Sequence, residues 1–203
     1  TVEHQMIMVA RWILMIQSLL VILSVFYGVA IFDAILPDGS GAMMPVLGAS
    51  VLFFLMLGET INGGFGMADL PIMYRSPLLN PVISLLMIPL YIIFAYLFTQ
   101  YTEFGPMGVA MALCLTYLLM NLIRVLIIKR LFGINMICTR IVKVIFAALI
   151  ATGLFKVMMD FAPMDIGSGV GIAAGIPILF IIYGVCVYIF AMEHSDKAKI
   201  KAK

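Results

Sequence analysis

Tyr117, Asn121 and Arg124 interrupt the apolar run GPMGVAMALCLTYLLMNLIRVLIIKR, which extends from Gly105 to Arg130. Their spacing of i, i+4, i+7 places them in one stripe on a helix. A polar stripe on an otherwise apolar helix faces protein or water rather than lipid. Arg124 lies five residues before Lys129, about 7 Å along the axis from the end of the run. Two roles are therefore open to it: its long stem can snorkel to the interface, or its guanidinium can face a cavity. Asn121 is one turn deeper and serves either as interhelical hydrogen-bonding glue or as a group on a substrate path.

A second constellation sits in LGETINGGFG, from Leu57 to Gly66, where Glu59, Asn62, Gly63 and Gly66 share a face by helical spacing. Glu59 is about two turns from the end of its apolar run. A carboxylate has a shorter reach than arginine, so at that depth it must be protonated, paired or facing water. The glycines beside it allow another helix to approach closely. Glu59 and Arg124 belong to the same half of the bilayer, so pairing with each other and lining one cavity are both expectations. Glu59, Asn62, Tyr117, Asn121 and Arg124 form the candidate substrate-binding set.

Other chemistry finds little support. His4 and His194 lie outside the apolar runs. Cys114, Cys138 and Cys186 stand singly, with no metal-ligand spacing, and read as small buried thiols. No nucleophile–base pair and no carboxylate pair is apparent. The expectation is a protein that is not an enzyme, with no catalytic residues, no metal and no cofactor. An intramembrane enzyme would require a second carboxylate beside Glu59.

The elements that must hold these residues are membrane helices. The chain is 65% hydrophobic and only 11% charged, with a mean hydropathy of +1.20, against roughly half apolar and a quarter charged in a soluble domain. A net charge of +2 is too small to suggest a nucleic-acid partner. Six stretches are long enough to span, approximately 12–32, 43–65, 79–98, 107–128, 142–159 and 168–192. Lys156 interrupts the fifth and can snorkel to the nearer interface. The expected class is an all-α polytopic membrane bundle.

Loop charges orient the bundle. Arg11 precedes the first span, Arg75 lies in the second loop, and Lys129, Arg130, Arg140 and Lys143 crowd the fourth; residues 193–203 form a basic tail. Asp33 and Asp38, then Glu103, then Asp160 and Asp165 hold the intervening loops. This alternation predicts that both termini are cytoplasmic. Residue 1 is threonine, and the first span is too long and lacks the basic leader of a secretory signal. A trimmed chain or a piece of a longer protein is expected. Pro89 and Pro177 fall mid-span and each removes a helical hydrogen bond. Gly167, Gly171 and Gly175 repeat every four residues as a packing face.

The segment from Tyr74 to Ile134, about a third of the chain, resembles the second lobe of polysaccharide flippases of the multidrug/oligosaccharidyl-lipid/polysaccharide exporter superfamily. The pattern comprises a short basic turn with proline (Arg75, Pro77) and an asparagine opening the next helix (Asn80). An outer Phe104-Gly105-Pro106-Met107-Gly108-Val109-Ala110 turn follows. The next helix ends Asn-x-x-Arg (Asn121, Arg124) before a basic Lys129-Arg130-Leu131-Phe132-Gly133 turn. The first span departs from the family: it has no early proline, and LPDGSG stands where an aromatic-Gly turn is usual. The resemblance implies a C-terminal lobe of a larger transporter working by alternating access. Its partners would be the lipid bilayer, a missing N-terminal lobe and an undecaprenyl-pyrophosphate-linked oligosaccharide such as an O-antigen unit, in the bacterial inner membrane. Rival readings are a cation-coupled multidrug exporter half of the same superfamily and a non-transporting membrane scaffold subunit.

Overall fold

A computed structural model describes residues 2–36, 43–102, 104–161 and 169–192. Among them every regular element is helical: α1 (Val2–Ile35), α2 (Met43–Phe65), α3 (Asp69–Arg75), α4 (Leu79–Gln100), α5 (Pro106–Phe132), α6 (Thr139–Phe161) and α7 (Gly169–Cys186). Six of the helical segments are long and apolar enough to cross a membrane. The architecture is therefore that of a multi-pass membrane bundle.

Helix ends follow local chemistry. Gly105 precedes α5 with φ +50°, Pro106 opens the helix, and Gly133 closes it with φ +69° while its N–H donates to Lys129 O at 3.1 Å. Glycine alone adopts such angles at no steric cost, and proline lacks a donor that a first turn cannot use. Gly108 brings α5 against α4, since a Cβ there would stand 2.9 Å from Phe98 O. The close approach expected of the Gly105–Gly108 turn is thus present. The α2 helix ends where expected, loses α-helical pitch in one turn of 3-10 helix at Gly66–Ala68, and resumes as α3. Gly171 and Gly175 are both buried, and a Cβ on Gly175 would run into the Tyr27 hydroxyl.

Each helix packs mainly on one or two others, in the order α4–α5–α2–α1–α6–α7, with α7 also touching α1. The densest core lies at α1, α6 and α7, where Tyr27, Phe155 and Leu179 are at most 1% exposed. Phe26 meets Phe155 edge-on at 4.8 Å, and the Tyr183 hydroxyl donates to Met15 O at 2.5 Å beside Ser18 Oγ at 2.7 Å. By contrast α4 buries only Ile83 and Met87.

Contacts also define two ends. Glu3 of α1 accepts from Asn135 N–H at 3.4 Å and His4 meets Arg140 at 3.0 Å. Arg75 donates to Leu131 O at 3.0 Å, satisfying a terminal carbonyl of α5, and stacks over Phe132. This end gathers Arg75, Lys129, Arg130, Arg140 and Lys143, while Asp33 and Asp160 close α1 and α6 at the other.

Four expectations need correction. The first helix starts at Val2, not near Trp12, so His4 and Arg11 are within it, and Arg11 is buried at 2% exposure. The loop alternation overlooked Asp69, an acid on α3 at the basic end. Of the cysteines only Cys186 is buried, while Cys114 and Cys138 are partly exposed. Gly66 receives no helix, for nothing lies within 4 Å of where its Cβ would stand; Gly58 does, because a Cβ there would be 3.2 Å from Cys114 Cα of α5. The expectations for Asp38, Glu103, Asp165, Gly167, His194 and the basic tail lie outside the described residues.

Candidate functional site

The polar residues of α2 and α5 meet because their helices meet. Gly58 lets α5 approach until Tyr117 Cδ2 is 3.3 Å from where a Cβ would be, which sets Tyr117 near the exposed Glu59. One turn on, Asn121 donates from Nδ2 to Tyr117 O at 2.9 Å and to Asn62 Oδ1 at 3.4 Å. Asn121 is 2% exposed, and its Oδ1 accepts nothing within the protein. Glu59, Asn62, Tyr117 and Asn121 therefore lie along one seam between α2 and α5, and Arg124 stands further toward the basic end with partners of its own.

Arg124 does not pair with Glu59, contrary to one expectation. Its Nε lies 2.9 Å from Asp69 Oδ1, and its Nη2 donates to Ser84 Oγ at 3.3 Å. Neither the Nε nor that oxygen makes an aligned hydrogen bond, so the contact is an ion pair held by charge. Snorkelling is excluded too: at 4% exposure the residue is enclosed by protein. Asn80, at the start of α4, lies near Asp69. One arginine on α5 thus ties α3 to α4.

Sequence reasoning missed Asp69 and Ser84, and read Asn80 only as the residue that opens its helix. Asp69 carried a usable signal, because Glu59, Asn62, Gly66 and Asp69 continue a single helical face. Asn80 and Ser84 carried a weaker one: they are one turn apart on α4, yet nothing in the sequence said which helix they face.

The opposite side of the layer offers shape without chemistry. A cleft of about 230 Å³ opens between α1, α2 and α6. Its three hydroxyls, on Ser18, Thr60 and Thr152, donate to carbonyls of their own helices at 2.6, 2.7 and 2.8 Å. What remains is an apolar surface suited to lipid chains. No group of three or more His, Cys, Asp or Glu side chains that could hold a metal occurs among the described residues.

No known family, curated protein or solved structure matches the chain.

Proposed function

We propose that this chain is one lobe of a membrane transporter that carries lipid-linked polysaccharide units across the bacterial inner membrane by alternating access. The observation that carries the reading is the Glu59–Tyr117–Asn62–Asn121 seam, in which two apolar spans bring their polar groups together and leave a carboxylate exposed. Lipid is a poor neighbour for such a group; a wet cavity shared with a second lobe is a good one. The sugar hydroxyls of an undecaprenyl-pyrophosphate-linked glycan would meet acceptors and donors on this face. Both chain termini belong to the cytoplasmic side in this reading, which the gathering of Arg75, Lys129, Arg130, Arg140 and Lys143 at one end supports.

The test is Glu59→Gln in cells carrying the complete gene, scored as surface polysaccharide per membrane-inserted protein. Gln keeps size and hydrogen bonding but removes the charge. Transport should fall by roughly tenfold, the loss of one hydrogen bond to a charged group, while protein yield stays near wild type. Normal transport with reduced yield would overturn the cavity role. A second reading, a non-transporting scaffold, is favoured by one feature. Arg124, the cation best suited to a pyrophosphate, is engaged with Asp69.

A further inference from the structure

The geometry points to a latch: the Asp69–Arg124 ion pair holds a hinged segment, α3, closed against α4 and α5. Three independent features converge on it. The first is a break in the helix. Between α2 and α3 the backbone makes one 3-10 turn at Gly66–Ala68, and such a turn inside a long helix marks a place where pitch is easily exchanged. Gly66 itself has nothing within 4 Å of a Cβ position, while Ala68 in the same turn is fully buried, so the break is anchored on one side and open on the other. The second is the economy of the contacts. Ile72 is the one fully buried side chain of α3. The segment is otherwise fastened by polar groups: Asp69 to Arg124, and Arg75 to the end of α5.

The third is an imbalance within the pair. Arg124 is enclosed while Asp69 retains 27% side-chain exposure. Asp69 can therefore leave its partner and still reach water, whereas Arg124 can be solvated only if α3 or α4 moves. A buried cation that loses its carboxylate is strongly unfavourable, so removing Asp69 forces the movement. Opening would uncover Arg124 at the basic end of the seam. The latch is a property of the fold and holds whatever the seam carries; its service as a gate rests on the transporter reading above.

Amide hydrogen exchange tests it in the full chain reconstituted in lipid bilayers, with no transport assay involved. Asp69→Asn should raise exchange across Asp69–Arg75 by about tenfold, as expected for the loss of one charge-assisted bond. Exchange in α1 and α6 should remain unchanged. The exchanged pair Asp69→Arg with Arg124→Asp should return α3 toward wild-type rates. Gly66→Ala has room for its methyl group and favours helix, so it should slow α3 exchange by roughly two- to fivefold without touching the ion pair. Unchanged α3 exchange in Asp69→Asn, or an equal rise in every helix, overturns the latch. A latch that behaves as described in a chain whose Glu59→Gln variant transports normally would leave the hinge standing and remove only the transporter reading.

Discussion

The α1–α6–α7 side of the bundle and the α2–α5–α4 side are built on different principles. On the first, large side chains fill the space between helices: Tyr27, Phe155 and Leu179 are enclosed, and Gly175 is hollowed to admit the Tyr27 hydroxyl. On the second, the separate buried apolar cluster is the small one of Ile83, Met87 and Met120, and cross-helix side-chain polar contacts are made at Asn62, Asp69, Ser84, Asn121 and Arg124. Lipid is as apolar as leucine, so packing rather than the hydrophobic effect must hold membrane helices together. Close packing specifies one arrangement. A few polar contacts specify registry while leaving alternative arrangements within reach. The first side reads as a frame and the second as the working part.

The sharpest way to break this contrast is to damage the frame. Phe155→Ala removes a side chain that is 0% exposed and stacked edge-on against Phe26. It should cost about 3 kcal/mol, the low end for a buried Phe→Ala change, because lipid can relieve part of the cavity. Unfolding in mixed micelles measures it. A loss no greater than that from deleting an apolar α4 side chain such as Ile88 would erase the distinction between the two sides.

A smaller effect sharpens the same point. Gly175→Ala drives a methyl group into the Tyr27 hydroxyl, a steric conflict with a single identifiable atom. Overpacking of this kind costs about 2 kcal/mol. Tyr27→Phe deletes that oxygen, which has no hydrogen-bond partner within the protein, so the double variant should recover most of the loss in the same unfolding assay. No recovery would show that the backbone approach, not the hydroxyl, makes Gly175 necessary.

The frame and the working part differed in how far the sequence disclosed them. Span number and most boundaries were legible, because apolar length and glycine or proline punctuation act locally: α2 occupies the expected residues, and α5 is bounded by Gly105-Pro106 and Gly133 as turn chemistry requires. The seam was legible as two stripes, one on each helix, and the structure joins them. The partner of Arg124 was not legible. Two acids, Glu59 and Asp69, lie ten residues apart on one face, and it is Asp69 that reaches α5's arginine. Which acid meets Arg124 depends on how α2 and α3 sit against α5, and no local pattern encodes that. The depth of Arg11 was hidden likewise, since a helix can continue past its apolar run when another helix covers it.

The smallest expected effect distinguishes glue from function at Asn121. If this residue exists to hold α2 to α5, then Asn121→Leu should cost about as much as a typical interhelical hydrogen bond in a membrane, near 0.6 kcal/mol and up to about 1.7. The geometry argues for less. The contact with Asn62 is long, at 3.4 Å, the better bond at 2.9 Å returns to Tyr117 O of the same helix, and Oδ1 has no partner at all. An apolar residue of similar size relieves that orphaned acceptor while preserving the packing, and replacing an under-satisfied buried polar group in this way is close to neutral. Asn121→Leu should therefore unfold within about 0.5 kcal/mol of wild type, yet lower glycan transport per folded molecule. Lost stability with full transport would make Asn121 an ordinary helix contact, and the seam would then shrink to Glu59 and Tyr117.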